Sequence, residues 1–199
     1  MLLHRLPATN AVFRFPAMVA ALLGLLAALQ PVPARAQASE YYTLQEVVDA
    51  GHGFFGQTSG NIAKAIEKVF AERGMPNGYI LGEDAGGAFI GGLRYGEGSL
   101  STKNAGQHKI YWQGPSVGWD YGIDGNRTMM LVYNLPNVDT VYRRYFGVSG
   151  SAYAIGGIGI TALTREGVNI IPIRTGIGAR LGVNVGYLKM SRLPKINPF

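Results

Sequence analysis

The sequence predicts a mainly β protein with N-terminal helices (α+β), closing into a small, glycine-bent antiparallel β-barrel of about eight strands. Three observations carry this. Short runs of strand-forming residues bounded by glycines recur from Gly78 onward. One of them, Met129-Met-Leu-Val-Tyr133, is apolar on both parities, as a strand buried on both faces requires. In "IIPIRTGIGARLGVNVGYL" the odd positions Ile171, Ile173, Ile177, Ala179, Leu181, Val183, Val185 and Tyr187 form an apolar face. Gly176, Gly178, Gly182 and Gly186 alternate with Arg174, Arg180 and Asn184 on the other. Glycine at that spacing lets a strand bend sharply or lets a second backbone approach, which a small closed barrel needs.

The chain opens differently. A cationic segment with Arg5 and Arg14 leads into the apolar run Ala17 to Leu29, then Pro31 and Pro33, then Ala34-Arg35-Ala36. That order is a secretory signal with a small-residue cleavage site, so residues 1–36 are expected to be a cleavable signal peptide and 37–199 a single exported, periplasmic domain. The apolar run is short for a span of about 20 residues, and with no cysteine a lipoprotein anchor is excluded. Cleavage would leave 163 of 199 residues, enough for one proper core. Three of the 18 basic residues and none of the 12 acids lie in the signal, so the remaining charge is 15 − 12 = +3. A small scattered excess does not point to nucleic acid.

Thr43-Leu-Gln-Glu46 is a capping-box pattern, predicting a helix near 44–50 stopped by Gly51 and Gly53. A second helix is expected over 61–73, where Ile62, Ile66, Val69 and Phe70 share a face and Gly74 and Pro76 end it. Strands are expected near 79–83, 87–95, 98–102, 109–113, 117–123 and 128–133. "LPNVDTVYRRYFG" predicts a short helix over 137–146, followed by strands in 152–163 and 168–188.

Chemistry-bearing patterns are few. "GPSVG" matches the G-x-S-x-G of a nucleophile elbow at Ser116, but the residues after the serine, "VGWDYGIDG", are poor helix material and no histidine lies beyond His108. A Pro-Ser turn is the better reading; a serine hydrolase acting on an envelope ester or polymer stays as the alternative. Two histidines after the signal, His52 and His108, without H-E-x-x-H, and Asp120 to Asp124 without a calcium-loop pattern, give no metal site. Glu83-Asp84, set between glycines, reads as a turn. No phosphate-loop or dinucleotide fingerprint occurs, so no cofactor is expected. A small outer-membrane barrel is a further alternative, against which stand the two prolines of the terminal "RLPKINPF" and the helices before the sheet. There remains an aromatic and basic group, from which Trp112, Trp119, Tyr121, Arg143 and Arg144 are the candidate ligand-binding residues.

Three long stretches carry a resemblance: "YTLQEVVDAGHGFFGQTSGNIAKAIEKVFAERGMPNGYILGEDAGGAFIGGLRYGEG", "YWQGPSVGWDYGIDGNR" and "IPIRTGIGARLGVNVGYLKMS". They resemble the domain-of-unknown-function family of alphaproteobacterial periplasmic proteins that contains the envelope integrity protein EipA. The resemblance implies a signal-bearing soluble periplasmic barrel with a role in envelope integrity and no catalytic residues to transfer. A fainter likeness, over the Gly87–Gly147 region, is to SYLF domains and implies phospholipid binding. Together these readings predict a non-enzymatic protein whose partner is an envelope lipid, a polysaccharide or a periplasmic protein, with peripheral membrane contact possible.

Overall fold

A computed structural model describes residues 39–56, 60–86, 93–115, 126–148, 151, 153–174 and 186–195. The expected signal segment, Ser116, Trp119, Tyr121, the strand expected over 117–123 and the glycine-rich 175–185 lie outside the described residues.

Among the described residues two helices precede the sheet, α1 (Leu44–Phe55) and α2 (Gly60–Arg73). The capping box at α1 forms as its residues dictate: Thr43 Oγ1 accepts from the Glu46 amide at 3.3 Å, and the Glu46 carboxylate accepts from the Thr43 amide at 2.8 Å. That backbone hydrogen bond, with help from Lys103, lowers the Glu46 pKa to about 2. Thr43→Ala is expected to lower stability by about 1 kcal/mol, read as a shift of the urea midpoint with unchanged slope. The helix does not stop at 50 as the sequence suggested. It runs through Gly51 and Gly53 to a positive-φ Gly56, because Gly51 is a packing glycine: a Cβ there would sit 3.2 Å from Ile66 and 3.6 Å from Met129.

Among the described residues ten strands follow: β1 (Gly78–Gly86), β2 (Leu93–Thr102), β3 (Gly106–Pro115), β4 (Asn126–Tyr133), β5 (Arg144–Gly147), β6 (Tyr153–Ile155), β7 (Ile158–Ile160), β8 (Leu163–Arg165), β9 (Val168–Arg174) and β10 (Tyr187–Ser191). Eight of them make a closed ring in the order β4-β1-β2-β3-β10-β5-β8-β9, sealed by β4 pairing with β9, and every pairing is antiparallel. The hairpin β6–β7 extends beyond the ring: β7 continues along the edge of β9 that β8 occupies, and among the described residues β6 pairs with β7 alone. The barrel expected from alternation is therefore present.

The helix expected over 137–146 is a single 3-10 turn, Val138–Val141, capped by Asn137 and followed by β5. Tertiary pairing overrides the local pattern here. Val141 and Tyr145 both enter the barrel core, Tyr145 pairs with Leu188 of β10, and its hydroxyl donates to the Thr140 carbonyl at 3.1 Å. Burial pushes the Tyr145 phenol up to about 12.

Two cores share the barrel wall. Inside, Ile80, Leu100, Ile110, Trp112, Met130, Val132, Ile170 and Leu188 fill the lumen, as eight strands leave room for side chains and little else. Outside, Met129, Leu131, Tyr133, Ile171 and Ile173 take Val47, Ile62, Ala65, Ile66 and Val69 of the two helices. The two parities of β4 thus serve different cores, which is why its sequence lacks a polar face.

Candidate functional site

The inward parity of β1 runs Gly78, Ile80, Gly82 and then Asp84, so a carboxylate falls on the face that otherwise fills the lumen. Asp84 is 5% exposed. It is not the turn residue that its glycine neighbours suggested, since β1 continues to Gly86; the solvated half of the pair is Glu83.

Strand register assembles its partners. Asp84 lies opposite Gly96 of β2, and Gly96 lies opposite Trp112 of β3. With no side chain at Gly96, the indole crosses β2 and donates its Nε1 hydrogen to Asp84 Oδ1. On the other side Gly82 pairs with Thr128 of β4, and Thr128 with Arg174 of β9. Thr128 Oγ1 donates to Asp84 Oδ2 at 2.9 Å, and the Arg174 Nε lies 3.3 Å from the same oxygen. Arg94, two residues along β2 from Gly96, brings its Nε to 3.9 Å from Oδ1.

Burial by itself would raise the Asp84 pKa. The charges of Arg94 and Arg174, joined by the Trp112 and Thr128 donors, reverse that and hold the carboxyl below its ordinary value. Among the described residues, one carboxylate faces two guanidiniums at the end of the lumen. The arginine side chains are 16% and 28% exposed, against 6% for the aspartate.

The residues singled out from the sequence do not gather. Trp112 is 1% exposed and faces the lumen as a donor to Asp84, so it is a buried structural tryptophan rather than a surface ligand contact. Arg143 pairs with Glu166 in the β8–β9 turn. Arg144 is on the outer wall, its guanidinium 4.5 Å from the centre of the Tyr187 ring. Trp119 and Tyr121 are outside the described residues. His108 holds the Ala105 carbonyl at 2.9 Å near the start of β3, about 20 Å along the strand from Pro115, the residue before Ser116. Among the described residues no cluster of His, Cys, Asp and Glu could hold a metal ion.

Sequence reasoning missed Asp84, Arg94, Thr128 and Arg174. One signal was available: Asp84 has the parity of Ile80 and Gly82, so a β1 longer by three residues puts it inside.

A filled eight-stranded barrel with two helices on its outer wall, and a strand-held charge cluster at one end of its lumen, defines a small β-barrel protein. The chain belongs to the Envelope integrity protein A (EipA) family, whose model matches residues 40–199. Membership implies a role in envelope integrity and an envelope or periplasmic location. The chain is also similar to a crystal structure of a β-barrel-like, uncharacterized protein from Brucella abortus, with 63% identity and a TM-score of 0.75, over 81% of this chain and all of that one. No curated protein matches the chain.

Proposed function

We propose that the protein is a soluble, non-enzymatic periplasmic module, exported by a cleavable signal, that supports the envelope by holding an anionic lipid-like or polymeric component at the Arg94–Arg174 end of its barrel. The observation that carries this is the geometry of the cluster: two partly open guanidiniums are brought together by one buried carboxylate. Guanidinium forks suit phosphate and carboxylate groups. The Asp84 network fixes their positions before a ligand arrives, which lowers the cost of binding.

Solubility has its own support. Glu83, Glu97, Lys109 and Arg127 are exposed on strand positions, with Lys109 and Glu97 3.3 Å apart. A basic residue facing lipid at the bilayer midplane would cost about 2–4 kcal/mol. Asp84 is committed to fixing arginines and His108 is bound to the Ala105 carbonyl, which favours binding over hydrolysis.

Native mass spectrometry of the protein from periplasmic extract tests the reading. The expected result is a copurified phosphate- or carboxylate-bearing species, lost in Arg94→Gln and Arg174→Gln variants that keep their circular dichroism and lose resistance to envelope stress. Ligand-free protein, together with wild-type resistance in both variants, would overturn it; copurification of a protein instead would move the partner to a periplasmic protein. Ser116→Ala is expected to behave as wild type, and loss of resistance there would restore the hydrolase.

A further inference from the structure

The opposite end of the barrel carries a second feature of different chemistry. Gly78, at the far end of β1 from Asp84, pairs with Thr102 and Val132. Just beyond it a cavity of about 300 Å³ opens, lined among others by Glu40, Tyr41, Asn77, Asn104, Asn134 and Asn137. Four asparagines on three separate segments share one groove, Asn134 and Asn137 lying in the same loop. Their amides differ in what they already do.

Asn77 is fully engaged, donating to the Leu135 carbonyl at 2.8 Å and accepting from the Leu135 amide at 3.1 Å. It clamps one wall. Asn137 uses its Oδ1 to accept from the Thr140 amide at 3.1 Å, which fixes the side chain and leaves its Nδ2 hydrogens uncommitted among the described residues. Asn134, at φ 57°, donates Nδ2 to the Gly167 carbonyl at 3.3 Å and leaves Oδ1 as an acceptor. Asn104, in the β2–β3 turn, makes no side-chain hydrogen bond among the described residues. Tyr41 is 44% exposed, and its segment is held in place by the Tyr42 amide donating to the Pro76 carbonyl at 2.8 Å.

We infer that this asparagine groove is a saccharide-binding site, taking a neutral or N-acetylated sugar ring. Each sugar hydroxyl both donates and accepts. Asn134 and Asn137, each already anchored through one atom, offer the complementary acceptor and donor with little further loss of rotamer freedom. An exposed tyrosine supplies an apolar face with a polar tip for the C–H side of the ring. The volume is at the lower end of ligand pockets, suiting a sugar ring rather than a long acyl chain. Among the described residues no Lys or Arg lines the groove while Glu40 does, so phosphates and uronic acids are disfavoured. That selectivity is opposite to the anionic reading of the Arg94–Arg174 end, and the two stand or fall separately.

Titration of isotope-labelled, exported protein with glucose, N-acetylglucosamine, glucuronate and inorganic phosphate, followed by NMR, tests the inference. Expected are saturable shifts of the Asn104, Asn134 and Asn137 side-chain amides with one or both neutral sugars at millimolar affinity, and at least about fivefold weaker effects of glucuronate. Phosphate is expected to shift only signals near Arg94 and Arg174. Tyr41→Ala combined with Asn104→Ala should weaken sugar binding at least about fivefold without moving the melting temperature. No saturable shift at the groove with either neutral sugar would overturn the assignment. So would equal binding of glucuronate, or unchanged affinity in a folded double variant. The wild-type shift map decides the question by itself if that variant proves unstable.

Discussion

Asp84→Ala is expected to cost about 3 kcal/mol of unfolding free energy, a larger loss than most single substitutions produce. The change leaves the Trp112 and Thr128 donors without their acceptor and two guanidiniums facing each other across the vacated site. Arg94 and Arg174 are partly open to water, which relieves some of the stranded charge. The figure therefore belongs at the lower end of the range for broken buried pairs. Urea denaturation at neutral pH, with an unchanged slope, measures it; a loss below about 1 kcal/mol would mean that the network is incidental to the fold.

The same group sets a pH dependence whose direction follows from its shift. The native Asp84 carboxyl is held below the ordinary aspartate value of about 3.9. Its contribution is fully present above that value and is lost as pH falls through the lower native pKa, because the unfolded chain takes up the proton first. Wild-type stability should thus fall more steeply below about pH 4 than that of Asp84→Asn, which has no proton to take up.

Gly96→Ala is expected to be at least as damaging, about 3 kcal/mol or more. A Cβ at Gly96 would lie 2.2 Å from the Trp112 Nε1 and Cε2 atoms, and the indole cannot slide away because Gly82 already sits against its far edge. Moving the ring breaks its hydrogen bond to Asp84, so overpacking and the loss of a buried polar contact add together. In a Trp119→Phe background, red-shifted emission from Trp112 would report the displacement. Gly53→Ala is the contrast. No atom lies within 4 Å of its Cβ position, and the helix should gain about 0.5–1 kcal/mol.

Much of the fold was legible because burial writes itself into period. The doubly apolar Met129–Tyr133 run announced a strand between two cores, and the structure places Met130 and Val132 in the lumen and Met129, Leu131 and Tyr133 under the helices. The capping box at Thr43 and Glu46 formed as its spacing required. Segment 137–146 was misread because its local spacing resembles a helix, while Tyr145 is claimed by a strand more than forty residues away. Trp112 was misread for a related reason: an amphipathic side chain looks the same in sequence whether its polar tip meets solvent or a buried carboxylate.

The sequence by itself therefore determined most of the elements: barrel strands such as β4 and β9, the two outer helices, the cap that starts the first helix, and the faces that had to be covered. Tertiary structure alone decided the charge cluster and the asparagine groove. Asp84, Arg94, Thr128 and Arg174 come from four strands, and the asparagines from three separated segments. Neither group has a spacing along the chain to recognise. Register across a closed sheet brings the first set to one carboxylate, and the end of the barrel brings the second to one cavity. A glycine at position 96, silent in the sequence, becomes the passage through which Trp112 reaches Asp84.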